Sequence, residues 1–302
     1  MIIEKAINND SEQELKNSWF ASLSLTFSLT ASGTQLTRTE RHGPLSVQKA
    51  FYPEGRDCAH IYLLHPPAGL VSGDELHINI AVKRQAHSLI TTPGANRFYR
   101  AREDHAIGDS KQVQHCKFYL AACAKCENFP LETIVYEGAD GFNTVDVHLQ
   151  NDSAYLGWDI TCLGLPSSGQ PFQHGRYSQL NRVYCQNTLI YHDRIVIKPE
   201  NKVHQHIAGL NHQSVFATFL AFAPLGQFDD DELKALIVQL REHILSEKAG
   251  DNVSISQVRR LLVIRYLGQQ AEQCKAIFIQ LWQILRPLYL NKAANIPRIW
   301  HT

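Results

Sequence analysis

The sequence predicts a mainly β protein of layered antiparallel or coiled architecture, with a small α-helical portion near its C-terminus. Three observations support this fold class. Strict alternation of apolar and polar residues begins at residue 19 and recurs along the first two-thirds of the chain. Turn residues separate these runs, and no long helical pattern lies between them. A clear 3.6-residue apolar period, typical of helices, appears late in the chain, from residue 229 on.

The clearest strand covers residues 19–31. Its odd positions are apolar, and its even positions from 22 on are Ser or Thr, which predicts one buried face and one wet face. The same alternation returns at 76–82 and 145–149. Less regular β-rich runs are predicted as strands at 61–64, 113–120, 133–136 and 189–197. The turns between them lie at Gly43-Pro44, Pro53-Glu54-Gly55, Pro66-Pro67-Ala68-Gly69, Pro93-Gly94 and 166–169.

Two helices are predicted near the C-terminus. The first begins at the acidic residues 229–231, which supply an N-cap and first-turn charges, and it ends before Gly250. The second covers 269–285, and Pro287 is expected to follow its end because proline interrupts a helix.

We predict a single domain over residues 19–302, preceded by a polar leader at 1–18. Its β-rich body covers about 19–200, and its helix-containing part covers about 210–302. No fixed-period repeat or low-complexity linker divides them. The remaining C-terminal segments are predicted as a buried strand at 261–267 and a short third helix at 213–223.

Composition excludes several classes of function. Lys plus Arg and Asp plus Glu both number 29, so the chain lacks the basic excess that nucleic-acid binding requires. No run approaches the ~20 apolar residues of a membrane span. The first 18 residues carry no apolar signal region, and the seven cysteines are most simply reduced thiols. We therefore expect a cytoplasmic protein that binds neither nucleic acid nor membrane.

The common motifs of nucleotide and hydrolase chemistry are absent from the sequence. Residues 164–169 have the glycine spacing of a phosphate-binding loop but lack its lysine. There is no G-x-G-x-x-G, no H-E-x-x-H and no G-x-S-x-G. The sequence therefore gives no indication of nucleotide hydrolysis, dinucleotide binding or an α/β-hydrolase triad.

Two cysteines have half of a zinc-type spacing. Cys123 and Cys126 form C-x-x-C, with His115 and Cys116 upstream, but no second close pair completes the motif. A thiol in a strand behaves as a small core hydrophobe, and we favour that interpretation over a metal site.

Three histidines form another candidate metal site. On a strand, His204 and His206 would share one face, with His212 nearby. A solvated strand edge is the alternative, and it is the interpretation that we favour.

Three aspartates give a sharper pattern. Asp74 directly follows a Pro-Pro turn and a Ser-Gly pair, and Asp159 follows Trp158 in a mostly apolar segment. A buried acid is costly unless it is paired or ligated. Asp193 lies inside an apolar run beside Arg194 and is equally consistent with an exposed ion pair and with an interior polar group.

One segment has the composition of a protein interface. Phe98, Tyr99 and Arg100 follow a Pro-Gly turn, and Tyr and Arg are enriched in interfaces. This segment is equally consistent with a loop that faces a partner and with an ordinary turn whose aromatic side chains lie in the core.

Taken together, these segments resemble the UreD (UreH) family of urease accessory proteins. The resemblance is collinear from about residue 20 to the end of the chain. The matching motifs are Gly43-Pro44-Leu45-Ser46-Val47-Gln48-Lys49, Phe51-Tyr52-Pro53-Glu54, Tyr62-Leu63-Leu64-His65-Pro66-Pro67, Gly73-Asp74, Thr92-Pro93-Gly94-Ala95, Phe98-Tyr99-Arg100, Leu131-Glu132-Thr133-Ile134, Gly157-Trp158-Asp159, Cys162-Leu163-Gly164 and Pro297-Arg298-Ile299-Trp300.

The resemblance implies a non-enzymatic maturation factor with a β-helix-like stack of sheets and a small C-terminal helical portion. Its implied partners are the urease apoprotein subunits, UreF and the GTPase UreG. The resemblance also implies that the protein binds Ni²⁺ transiently and holds no tightly bound cofactor. By motif position, Asp74, Asp159 and Asp193, together with Asn96, match residues that line an internal nickel path in the family. Oxygen ligands bind Ni²⁺ less tightly than imidazole clusters do, which suits transfer.

This chain departs from the family pattern at a glycine-rich turn, where Ala68 and Ser72 replace glycines. A positive φ at either position would cost on the order of 1 kcal/mol. Leu131 stands where the family usually has Gln, and a Cys often found shortly before Arg298-Ile299-Trp300 is missing. None of these changes removes an acid.

Two alternatives to a nickel conduit remain open from the sequence. One is a pure docking scaffold, in which no acid contacts metal and partner binding depends on positions such as Tyr99 or Arg100. The other is a β-solenoid hydrolase that uses two carboxylates as acid and base in an open cleft.

Overall fold

The computed structural model of this chain describes residues 19–301, except 105, 107 and 248; the predicted leader at 1–18 lies outside them. Its helices are α1 (Asp230–Ser246) and α2 (Ala271–Leu290). In chain order, its strands are β1 (Trp19–Thr30), β2 (Gly33–His42), β3 (Ser46–Val47), β4 (Ala59–Leu64), β5 (Asp74–Val82), β6 (His87–Thr91), β7 (Asn96–Phe98), β8 (Gln112–Leu120), β9 (Lys125–Phe129), β10 (Thr133–Val135), β11 (Asp140–Leu149), β12 (Ala154–Leu163), β13 (Arg176–Cys185), β14 (Thr188–Ile197), β15 (Val215–Phe222), β16 (Val253–Val258) and β17 (Leu261–Gly268).

These strands form two large sheets. The first has the order β14-β13-β11-β8-β5-β1-β2, and its five central strands are parallel. The second has the order β16-β17-β15-β12-β9-β6-β4-β3, and β4, β6, β9 and β12 are parallel within it. The short strands β7 and β10 pair with each other, and β10 also pairs with β12.

The parallel strands arise because the chain coils between the two sheets. From β5 to β13 it passes repeatedly from one sheet to the other, and each return adds a parallel neighbour. Side chains at equal positions in successive coils therefore stack in rows. The mainly β fold with helices near the C-terminus is confirmed, and its central part coils as the resemblance implied.

The apolar residues that alternate along β1 fill the space between the sheets, as predicted. Ala21, Leu23 and Phe27 are fully buried there with the inward residues of the neighbouring strands. Trp19 and Leu29, which the alternation also placed inside, are 46% and 47% exposed because the strand extends beyond the core at both ends.

The two helices cover the outer face of the second sheet and enclose a second apolar core. The start of α1 is confirmed, since the Asp229 carboxylate accepts hydrogen bonds from Asp231 N at 2.9 Å and Glu232 N at 2.8 Å. Helix α2 continues through Pro287, contrary to the prediction. The apolar contacts of Tyr289 and Leu290 in the second core outweigh the one backbone hydrogen bond that proline removes.

The predicted third helix at 213–223 is wrong, because this segment contains β15. Val215 and Phe219 face the helices, whereas Phe222 faces the first sheet. A strand buried on both faces is continuously apolar and shows no period of two. Among the described residues, no helix is long and apolar enough to cross a membrane.

The turn at Ala68 has the backbone strain that the sequence suggested. Ala68 has a φ of 64°, whereas Ser72 does not have a positive φ. We expect Ala68→Gly to raise the free energy of unfolding by about 0.5–1 kcal/mol, because glycine adopts this φ without a steric penalty. Ser72→Gly should lower it, since the Ser72 hydroxyl accepts a 2.7 Å hydrogen bond from Arg102 N. Urea unfolding of both variants tests these two predictions, and a Ser72→Gly variant more stable than the wild type would contradict the second.

Candidate functional site

A row of amide side chains crosses the space between the two sheets. Gln114, Asn143 and Gln179 occupy matching positions on β8, β11 and β13, because these parallel strands are in register. Asn96 Nδ2 donates to Gln114 Oε1 at 3.2 Å, and Gln114 Nε2 donates to Asn143 Oδ1 at 3.3 Å. Polar side chains thus form a connected row within a largely apolar sheet interior.

Asp159 joins this row from the opposite sheet. Side chains alternate along β12, so Trp158 points to the helices and Asp159 points between the sheets. Asp159 Oδ2 accepts hydrogen bonds from Gln179 Nε2 and, at 3.4 Å, from Asn143 Nδ2. Gln179 Nε2 also donates to Asn181 Oδ1 at 3.1 Å. We call the connected set the polar ladder: Asn96, Gln114, Asn143, Asp159, Gln179 and Asn181.

Two cavities lie along the polar ladder. The first has a volume of about 380 Å³ and is lined by Asn96, Asn143 and Asp159, among others. The second has a volume of about 490 Å³ and is lined by Gln179 and Asn181, among others. The hydrogen bond from Gln179 to Asp159 therefore joins the lining of one cavity to the lining of the other.

Asp159 has an unusual acidity. Burial raises its pKa to about 7, and the hydrogen bond from Gln179 opposes that shift only in part. The thiol of Cys116 lines the same cavity, and burial raises its pKa to about 12. Near neutral pH, the carboxyl group of Asp159 is therefore poised between its two protonation states, and the thiol stays protonated.

Asp193 lies on the second cavity, at the far end of the polar ladder. It pairs with Arg265 at 3.1 Å and accepts a hydrogen bond from the Tyr191 hydroxyl at 3.0 Å. In β13–β14 pairing it lies opposite Asn181. Its ion-pair partner is thus Arg265 rather than the adjacent Arg194.

Asp74 lies apart from these residues. It is the first residue of β5, is 5% exposed, and accepts a 2.8 Å hydrogen bond from Val71 N. Burial raises its pKa. Of the predicted path residues, the structure therefore brings Asn96 and Asp159 into one connected row that leads to Asp193, whereas Asp74 closes a turn. A nickel-path role for these four residues stays a prediction.

The proposed interface residues occupy different environments. Phe98 is fully buried and packs edge-on against Tyr177 at 5.5 Å, so its side chain belongs to the core. Tyr99 is half-buried beside Tyr136, and Arg100 is exposed and paired with Glu103 at 2.5 Å. Partner binding by Tyr99 and Arg100 stays a prediction, and Phe98 can contribute to it only by supporting the backbone.

The cysteine pair does not converge on a ligand set. Cys126 is buried in β9 beside Ser88, whereas Cys123 is exposed in the preceding turn and contacts Asp152. Neither belongs to a group of three or more metal-ligand side chains among the described residues. This arrangement fits the interpretation of Cys126 as a core hydrophobe.

The histidine segment is a series of turns rather than a strand. His204 and His212 nevertheless come together, with ring centroids 6.4 Å apart, because His212 N bonds to His204 O at 2.8 Å. His206 lies on an exposed turn, where its Nδ1 accepts from Ala208 N at 3.3 Å.

Five side chains form a second, unpredicted cluster of ligand-type groups beneath α2. Glu54, Cys58 and His60 form one group, and Cys58, His87 and Glu127 form another. Within each group the ligand-type atoms lie within 4.8 Å of one another.

A guanidinium group already occupies the centre of this cluster. Arg286 of α2 is fully buried and pairs with Glu54 at 2.6 Å and with Glu127 at 3.0 Å. Trp282 Nε1 also donates to Glu127 at 2.7 Å. Because Arg286 supplies the counter-charge for both carboxylates, we interpret this set, which we call the Arg286 cluster, as the ionic attachment of α2 to the second sheet.

Sequence reasoning identified Asn96 but missed the other four amides of the polar ladder and the whole Arg286 cluster. The amides were detectable in part, since Asn143 and Gln179 occupy positions that alternation places inside. The Arg286 cluster was not, because Arg286 is separated by 232 residues from Glu54 and by 159 from Glu127.

The comparisons with known proteins agree with the resemblance. A family model described as UreD urease accessory protein matches residues 20–301. A protein named urease accessory protein UreD from Psychromonas ingrahamii is 64% identical over 293 residues, covering 95% of both chains. Proteins of the same name from a Marinomonas species and from Saccharophagus degradans are 40% and 35% identical, covering 94% of this chain and 90% and 93% of theirs. The chain belongs to the UreD family of urease accessory proteins.

Proposed function

We propose that this protein is a cytoplasmic chaperone of urease maturation that conducts Ni²⁺ through its interior to the urease apoprotein. The proposed partners are UreF and the GTPase UreG, whose GTP hydrolysis would drive insertion. Neither an active-site nucleophile nor a tightly bound cofactor is needed for this role. Family membership supports the maturation role, and the resemblance described above is the basis for the partners.

The proposed nickel path is supported by the polar ladder and by the two cavities that lie along it. Buried amide and carboxylate groups are costly for stability unless they are hydrogen-bonded, and the members of the polar ladder meet this condition by bonding to one another. Cavities of about 380 and 490 Å³ have room for several waters, since each takes about 30 Å³. A partly hydrated cation could therefore move from one oxygen ligand to the next.

The chemistry of Asp159 suits release as well as binding. With a pKa of about 7, this carboxyl group exchanges a proton for a cation at little cost near neutral pH. Single carboxylate and amide oxygens hold Ni²⁺ weakly compared with clustered imidazoles. The second acid on the route, Asp193, is partly neutralised by Arg265, which also favours passage over retention.

The nickel content of urease tests this proposal. Urease co-expressed with Asp159→Ala should contain several-fold less nickel per active site than urease co-expressed with the wild-type protein, while the complex with UreF and UreG still forms. Asp109→Asn is the matched control, because Asp109 is exposed and lines neither of the two cavities. Deletion of the gene should abolish loading.

The outcomes separate the alternatives. If deletion leaves nickel content unchanged, the maturation role fails. If deletion abolishes loading but Asp159→Ala does not reduce it, the protein is a docking scaffold. The scaffold has some support from Arg100, which is exposed on the outer surface, and Arg100→Glu should then abolish capture of UreF or of urease. The hydrolase alternative has little support, because Asp159 and Asp193 line separate cavities rather than one cleft.

A further inference from the structure

His65 stands out among the residues of the first cavity. It directly follows β4, and both of its ring nitrogens are buried without a hydrogen-bond partner in the described part of the chain. Buried polar atoms are normally satisfied, and each one left unmet costs about 1–3 kcal/mol. Because no hydrogen bond within the described residues holds the ring, its two nitrogens are the candidate ligand atoms for a species that enters this cavity.

The position of His65 relates it to the polar ladder. It lines the same cavity as Asn96, Asn143 and Asp159, and it is the only histidine among the described lining residues. The other soft ligand there is Cys116, whose pKa of about 12 keeps it protonated. Arg97, the one cationic side chain among the described residues of the lining, donates to Ala68 O at 3.4 Å. The remaining polar lining groups are oxygen and amide ligands.

The state of the ring suits metal binding. Burial lowers the pKa of His65, so the imidazole is neutral at physiological pH and offers a lone pair. Its backbone is fixed separately, since Ala68 N donates to His65 O at 2.8 Å. The imidazole can thus bind a ligand without losing any hydrogen bond of its side chain.

An imidazole adds what oxygen ligands lack. Carboxylate and amide oxygens also bind Mg²⁺ and Ca²⁺, whereas imidazole favours Ni²⁺ and its neighbours in the transition series. We propose that His65 is the imidazole ligand of the first cavity and that it selects Ni²⁺ over hard divalent cations before the ion reaches Asp159. This inference rests on the proposed function, since it assumes that Ni²⁺ enters this cavity.

The test measures Ni²⁺ binding by the purified full-length protein in excess Mg²⁺. The variants are His65→Gln and, as matched control, His243→Gln. His243 on α1 also has a buried nitrogen without a partner, but it lies outside the lining of the first cavity. We expect His65→Gln to weaken Ni²⁺ binding by at least about tenfold in calorimetry, as loss of a ligand-shell group does, while His243→Gln leaves it unchanged.

Spectroscopy supplies a readout that is independent of urease. In protein labelled with ¹⁵N-histidine, substoichiometric Ni²⁺ should broaden the ring resonances of His65, which are assigned as those absent from His65→Gln. X-ray absorption of the Ni²⁺ complex should show imidazole scattering in the wild type and oxygen-only ligation in His65→Gln. Unchanged affinity and spectra in His65→Gln would overturn the inference.

A third variant separates this inference from the conduit. If Asp159→Asn weakens Ni²⁺ binding and His65→Gln does not, the conduit stands and the role of His65 fails. If His65→Gln alone weakens binding, His65 is a ligand but the route past Asp159 fails. Wild-type protein that binds no Ni²⁺ in its first cavity contradicts both.

Discussion

Replacing Arg286 with Met is expected to lower the free energy of unfolding by about 3–5 kcal/mol, the usual result of removing one partner from a buried ion pair. Arg286 is fully buried between Glu54 and Glu127 and supplies a counter-charge to both. Burial alone would raise the pKa of both carboxyl groups. Hydrogen bonds from Arg286 and from His60 or His87 outweigh burial and hold the pKa of each group below its usual range.

The pH dependence of this loss has a defined sign. Lowered carboxyl pKa values stabilise the wild-type fold above about pH 4, the unfolded value, and that contribution is lost as the pH falls. Without Arg286 the carboxyl groups of Glu54 and Glu127 keep only weaker partners such as His60 and His87, so burial favours their protonation and the variant loses stability as the pH rises. The deficit of Arg286→Met should therefore be largest near pH 7 and shrink toward pH 4.

Thermal and urea unfolding at pH 5 and pH 7 measure this effect. The melting temperature of Arg286→Met at pH 7 should fall by on the order of 10 °C. Lys275→Met is the control, since it removes a charge from the same helix outside the Arg286 cluster and should change stability by less than about 0.5 kcal/mol. Adding Glu127→Gln should recover part of the loss. Equal stability of the two single variants would show that the Arg286 cluster does not hold α2.

Asp159→Asn is expected to make the protein more stable at neutral and alkaline pH. The pKa of Asp159 is about 7 in the folded chain and about 3.9 in an unfolded one. Below pH 4 both states are protonated and the acid costs nothing. Between pH 4 and pH 7 only the unfolded state ionises, so the folded state loses about 4 kcal/mol of relative stability. Asn keeps the oxygen that accepts from Gln179 and Asn143 and avoids this loss.

Urea unfolding across pH 4 to 8 tests the prediction. The gain in stability of Asp159→Asn over the wild type should be near zero at pH 4 and grow to a few kcal/mol by pH 8. Asp109→Asn should instead lose stability relative to the wild type as the pH rises. A backbone hydrogen bond from Lys111 lowers the pKa of Asp109, so its carboxylate stabilises the fold above that pKa. A gain that does not vary with pH would mean that the Asp159 carboxyl group is not desolvated.

The stability of Asp159→Asn, combined with the nickel content of urease, shows whether the ionisable group at this position lowers the stability of the fold but is needed for nickel loading. A variant that is more stable but loads less nickel is the outcome expected where a strained or desolvated group is kept for function. A variant that is more stable and loads nickel normally would instead make Asp159 an incidental buried acid.

Local sequence patterns were enough to predict the fold class, both α-helices and eight of the 17 strands. Alternation in β1 and the acidic start of α1 predicted the correct structure because both depend on residues close together in the sequence, through burial of one face in β1 and side-chain capping in α1. The errors fell where that condition fails. β15 is buried on both faces and therefore has no period, and Pro287 is retained in α2 by tertiary contacts.

Which polar residues meet depends on the packing of the whole chain. Asp159 could be identified from its sequence as an acid in an apolar segment, but its amide partners come from β11 and β13. The contact between Arg286 and Glu54 spans 232 residues. Such contacts depend on how many residues each coil contains and on the register of parallel strands. No single segment of the sequence carries that information, because it is set by the packing of all the coils together.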